Sequence, residues 1–223
     1  MKNPLLLAVF CLGIFLLVAF YFVSKALYKQ RHHENYSFVR MFPYEYNYPS
    51  VFKENIWGNL LFVMGCFAVV AFYILNPYES IYRTITIVAS IVLTMILLCL
   101  LMMPLYYLRT HLVLSILSMT LITALLLFDL MFAYSSYQLN TDNVSRILSI
   151  ISMVISGLFA LTMLVLILNP KLSFKIYLDK ETDDSGNEVL KRPKVIFLAL
   201  NEWVSIFLYF LSPLSILLLC LVH

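Results

Sequence analysis

Two carboxylic acids stand inside apolar sequence: Asp129 in Leu126-Leu-Phe-Asp-Leu-Met-Phe132 and Glu202 in Leu200-Asn-Glu-Trp-Val204. Ionisable side chains at membrane depth are rare, usually face a bundle interior, and carry proton or ion chemistry. Hydroxyls surround the first acid in pattern. Thr86, Ser90 and Thr94 recur at i, i+4, i+8, and Ser149, Ser152 and Ser156 continue through Ala160 on a second stripe. Each set lies on one face of a helix. Thr86, Ser90, Thr94, Asp129, Ser149, Ser152 and Ser156 are therefore expected to converge. They would form either close helix packing with hydroxyl bonds or a polar cavity walled by Asp129. The second acid has Asn59, Arg109, His111 and Asn201 at a similar predicted depth. Either a contact from Glu202 to Arg109 or His111 satisfies its carboxylate, or the span begins at Trp203 and leaves Glu202 at the interface. The two acids are expected in opposite leaflets, roughly 8 Å and 10 Å from opposite ends of their helices at the α-helical rise.

Other chemistry finds no support. There is no H-E-x-x-H, G-x-S-x-G or P-loop pattern, and a lone acid does not make an acid–base pair. Arg31-His32-His33-Glu34 lacks a third ligand. Read as a calcium loop, the acids near Gly186 put Arg192 where a bidentate Glu is required. The four cysteines sit singly in apolar runs and read as small packing residues. No metal, cofactor or nucleic acid is implied.

The elements that must position these groups follow from composition. Of 223 residues, 62% are hydrophobic and 12% charged, about half the charge of an ordinary soluble domain. The charge-free stretches are each about as long as the roughly 20 residues a helix needs to cross a bilayer. Their continuous apolar character excludes a β-barrel, which would alternate. The chain is expected to be all-α, a six-helix polytopic membrane bundle with spans near 4–22, 56–75, 84–108, 112–134, 147–168 and 195–221. The first span reads as retained, because its apolar run is long for a signal peptide and lacks a small-residue cleavage site. Ile74-Leu-Asn-Pro77 and Ile167-Leu-Asn-Pro170 close the second and fifth spans in the sense of an inverted repeat, although Asn-Pro also simply ends helices. Trp57, Tyr78, Tyr82, Tyr106, Tyr107, Tyr134, Tyr137 and Trp203 fall near predicted helix ends, as an interfacial belt would.

Two long connections remain. The first, 29–55, is rich in aromatic and basic residues and is broken by Pro43 and Pro49. Solvated linkers are poor in aromatics. The loop is expected to lie at the lipid headgroups, to close over the inner face as a lid, or to present Phe42, Tyr44, Glu45, Tyr46 and Tyr48 to a membrane or cytoplasmic protein, with 36–55 as the contact region. The second, 171–194, is charged. Phe174–Leu178 and Glu188–Leu190 flank Asp184-Ser-Gly-Asn187, which predicts a short hairpin.

The expected activity is non-enzymatic: a binding, accessory or regulatory subunit of the cell membrane. The alternative is a small-solute transporter or permease subunit, coupled to protons through Asp129 or Glu202. Orientation comes from basic residues, which favour the cytoplasmic side. Twelve Lys and Arg fall on the odd connections and three (Lys2, Arg83 and Arg146) on the other side, so both termini should face outward. In a background with the native cysteines removed, an impermeant thiol reagent applied to intact cells should label a cysteine at position 140 and spare one at 185. The reverse pattern would invert the topology.

Overall fold

The computed structural model describes residues 4–47, 53–77, 81–102, 108–169, 179–182, 188–191 and 193–220. Long helices dominate: α1 (Pro4–His32), α2 (Ile56–Leu75), α3 (Ile81–Met102), α4 (Leu108–Leu139), α5 (Asn143–Ile167), α6 (Phe197–Leu211) and α7 (Pro213–Cys220). α6 and α7 together make one apolar span, so six spans among the described residues are long and apolar enough to cross a membrane. A short hairpin pairs β1 (Asp179–Thr182) with β2 (Glu188–Lys191), antiparallel, with Asp179 opposite Lys191. Its first strand thus begins after the predicted segment. That segment (174–178) and the Asp184-Ser-Gly-Asn187 turn both lie outside the described residues.

Local chemistry sets the helix ends. α1 overruns its apolar window and stops where His33 takes a left-handed φ of 55°, the usual way for a helix to close. Asp142 caps α5, accepting from the Ser145 backbone N–H at 2.9 Å. Pro213 separates α6 from α7, because it has no N–H to continue the ladder.

α1 through α5 pack in sequence order, each against the next, and the last span runs through their middle. Buried share shows the arrangement: 72% of the best window in the last span is buried, against 22% for α5 and 28% for α1. Small residues permit the close approaches. A Cβ added to Gly65 on α2 would lie 2.7 Å from the Phe210 ring of α6, and one on Gly58 would collide with Ser24 of α1 and with Asn55. Gly157 on α5 has nothing near it.

Trp203 corrects the interfacial-belt expectation. Trp57 is 66% exposed on the outside of the bundle, but Trp203 is fully buried inside it. Its indole N–H finds acceptors within the chain, which removes the need for an interfacial position.

Gly65→Val should displace Phe210 and cost about 1–3 kcal/mol, the usual range for overpacking. Gly157→Ala, in the interior of α5 with open space around it, should stabilise by up to about 1 kcal/mol, the helix preference of Ala over Gly. Thermal denaturation of the purified protein in mild detergent separates the two.

Candidate functional site

The side chains with chemistry lie along one face of the last span. Glu202, Ser205, Tyr209 and Ser212 are all buried. Their spacing of three, four and three places them on a single helical stripe, covering about 15 Å at the α-helical rise. We call the end of the bundle that carries 29–55 the long-loop end, and the opposite end the short-loop end.

At the long-loop end, the Glu202 carboxyl meets α4. Its Oε1 lies 2.8 Å from His111 Nε2 and 2.5 Å from the Ser115 hydroxyl. Glu202 is 1% exposed and His111 fully buried. Ser115 Oγ also sits 2.9 Å from the His111 carbonyl, so its single proton serves one acceptor at a time. Glu202 Oε2 has no hydrogen-bond partner. An imidazole against a carboxylate can share or pass a proton, and the free oxygen can take another.

The other members of the expected inner cluster go elsewhere. Arg109 is exposed at the start of α4 and makes no contact with Glu202; its guanidinium stays in a polar setting rather than being desolvated. Asn201 reaches the Leu166 carbonyl on α5 at 3.3 Å. Asn59 donates to Asn47 Oδ1 at 2.9 Å.

Asn47 belongs to a plug. Residues 41–47 are buried, including the 3-10 turn Pro43–Asn47. The Phe42 and Tyr44 rings stand edge-on to the His111 ring, with centroids at 5.7 and 5.5 Å. Tyr36 stacks on Tyr46 at 3.9 Å. The Trp203 indole N–H lies 3.1 Å from Tyr36 Oη and 3.0 Å from the Met41 carbonyl. Glu45 Oε1 accepts the Phe42 backbone N–H at 2.8 Å and so closes the turn on itself. Arg31 fastens the segment from α1: it donates to Glu54 at 2.7 Å and to the Tyr46 carbonyl at 2.9 Å. Asn47 donates to the Leu101 carbonyl at 2.9 Å. The loop rings therefore have a core of their own, which fits the expected lid and corrects the expectation that Phe42, Tyr44, Glu45 and Tyr46 are presented to a partner. Tyr48 lies outside the described residues.

Towards the short-loop end, Asp129 is 1% exposed and faces inward. Its partner is on α2: Tyr73 Oη lies 3.1 Å from Asp129 Oδ2 and 2.8 Å from Ser212 Oγ. Asp129 Oδ1 has no hydrogen-bond partner. The predicted hydroxyls are all buried, yet none bonds to Asp129. Thr86 and Ser90 turn back onto the Arg83 and Ile87 carbonyls of their own helix. Thr94 pairs with the Tyr209 hydroxyl at 2.6 Å, and that hydroxyl also reaches the Ser90 carbonyl at 3.1 Å. Ser149 approaches Ser136, at 3.3 Å, and Ser152 donates to the Ser215 carbonyl at 2.8 Å. Ser156 Oγ has no hydrogen-bond partner.

Tyr73, Ser205, Tyr209 and Ser212 were not among the sequence candidates. The three-four-three spacing from Glu202 was a readable signal for those on the last span. Tyr73 had none, because an isolated tyrosine near a helix end resembles an anchor. Among the described residues no three His, Cys, Asp or Glu side chains are grouped to hold a metal. No protein-family model, curated protein or solved structure matches the chain.

Burial pushes the Tyr36 and Tyr46 phenols well above their ordinary range, with nearby Tyr46 and Glu45 adding to the shift at Tyr36. Both phenols are then neutral in the fold. In an opened plug they ionise from about pH 10. The plug keeps its full stability below that pH and loses it as pH rises further. In a Trp57→Phe variant, which leaves Trp203 as the reporter, emission should stay constant from neutral pH to about 9 and shift to longer wavelength above about 10.

Proposed function

We propose that this chain is a multi-pass carrier or permease subunit of the cell membrane. It couples movement of a small solute to protons taken up at Glu202–His111 and at Asp129. The long-loop end faces the cytoplasm and both termini face out. One observation carries the reading. A single stripe of the central span carries one buried carboxyl, Glu202, and Ser212, which reaches a second, Asp129, through Tyr73; each carboxyl has an oxygen that has no hydrogen-bond partner. Helix packing alone is served by hydroxyls and small residues. It gives no reason to accept the expense of two carboxyls at depth. The plug over His111 and Trp203 makes this an occluded arrangement.

A binding or accessory role is the second reading. It draws on the outward surface of the plug, where a cleft of about 350 Å³ opens beside Glu34, Ser37 and Arg40 and Phe38 is exposed. A protein partner there would meet these residues rather than the buried rings.

Proton binding from one side moves charge within the membrane before any solute is supplied. A pH jump on proteoliposomes adsorbed to a solid-supported membrane should therefore evoke a transient current. Asp129→Asn and Glu202→Gln should each remove part of it, and the double variant should abolish it. Folded wild-type protein that yields no current above empty liposomes would end the carrier reading.

A further inference from the structure

The hydrogen bonds at Asp129 can be counted proton by proton, and the count has one consistent solution. Pro213 lacks the N–H that would bond the carbonyl four residues back, which is that of Tyr209. Ser212 Oγ takes that place and donates to the Tyr209 carbonyl at 2.8 Å. A hydroxyl has one proton, so Ser212 must accept from its other neighbour, Tyr73, at 2.8 Å. Tyr73 has then spent its own proton. With Tyr73 as donor, its one hydrogen would have to be shared between Ser212 and Asp129 Oδ2, 3.1 Å away; both contacts carry a hydrogen of their own only if the carboxyl supplies the second.

We infer that the resting protein holds Asp129 as the neutral acid, the head of a one-way chain through Tyr73 and Ser212 to the carbonyl that Pro213 leaves open. The ligand of this site is a single exchangeable proton. Tyr73 and Ser212 are positioning residues, and Pro213 sets the direction of the chain. This deepens the proton-linked reading, because it says which carboxyl is loaded at rest. Reversing the chain would ionise Asp129 and withdraw the Ser212 hydroxyl from a carbonyl with no partner at Pro213.

The surroundings agree. No cation pairs with Asp129 among the described residues, and Tyr73 is the sole hydrogen-bond partner of its carboxyl. On the elements packed around α4, Arg83 of α3 donates to the Ile74 carbonyl and Arg146 of α5 to that of Asn140. Cys220 of α7 approaches Asn76 at 3.9 Å. Glu202 belongs to the His111 site, about 15 Å along the same stripe by the helical rise. An ionised carboxylate at Asp129 would have one hydrogen bond for two oxygens in a setting without water-facing surface, which is costly.

Infrared spectroscopy reads this without any transport. Wild-type protein in lipid nanodiscs at neutral pH should show the carbonyl stretch of a protonated carboxyl, sensitive to deuterium exchange. Asp129→Asn should remove that band, and Glu202→Gln should leave it. In Ser212→Ala, Tyr73 is freed to donate to Asp129, so the band should titrate away at a pH lower by about one unit or more. Pro213→Ala restores a backbone donor to the Tyr209 carbonyl and should shift the titration in the same direction. Tyr73→Phe removes the competing donor and should keep the band. Absence of any band that Asp129→Asn removes would overturn the inference, as would wild-type titration in folded Ser212→Ala and Pro213→Ala. A band in a protein that gives no pH-jump current would leave this inference standing and end the carrier reading.

Discussion

A hydroxyl, amide or carboxyl carried into the middle of an apolar bundle has no water to bond and must find its partner on a neighbouring helix. The last span carries such a group on almost every turn of one face, from Glu202 through Tyr209 to Ser215. It can be satisfied only where helices surround it. Those contacts come from α2 through Tyr73, from α3 through Thr94 and Ser90, from α4 through His111 and Ser115, and from α5 through Ser152. The central position of the last span follows from this requirement. So does the service of Gly65 on α2, whose missing side chain admits the Phe210 ring.

The same requirement governs the long-loop end. The Trp203 N–H and the Asn59 amide, at the ends of their helices, need acceptors, and the plug supplies them through the Met41 carbonyl, Tyr36 and Asn47. In exchange the plug buries Phe42, Tyr44 and Tyr46, which no solvated loop would retain. Its backbone is tied at both sides: Arg31 holds the Tyr46 carbonyl, and the Ile196 N–H at the entrance to α6 donates to the Val39 carbonyl at 2.8 Å. Neutral hydrogen bonds contribute roughly 1 kcal/mol each, so the plug stands on several modest contacts, with the Arg31–Glu54 ion pair partly exposed.

The two carboxyl sites are satisfied by different means. Glu202 has an imidazole that can carry positive charge, screened by two aromatic rings. Asp129 has only a phenol, linked onward to a helix interruption. Tyr209 joins them in space but is itself committed to Thr94 and Ser90, so the two sites are separate hydrogen-bonded groups on one stripe.

Six spans, their approximate limits, the hairpin and the inward direction of the hydroxyl stripes were legible in the sequence. All depend on local quantities: apolar run length, helical spacing and turn residues. The Glu202–His111 contact was readable as one of three options, beside Arg109 and an interfacial position, since depth along a helix can be counted. Partner choice across the bundle could not be counted. Two hydroxyl stripes and an acid at equal depth do not reveal that α2, backed by Ser212 of the last span, rather than α3 and α5, comes to Asp129. That depends on the rotation of each helix about its axis and on which span takes the centre. The aromatic loop posed the same problem. Its composition showed that the rings must be covered, but only the packed helices, with an open end and unmet donors, decided that they would be covered from within.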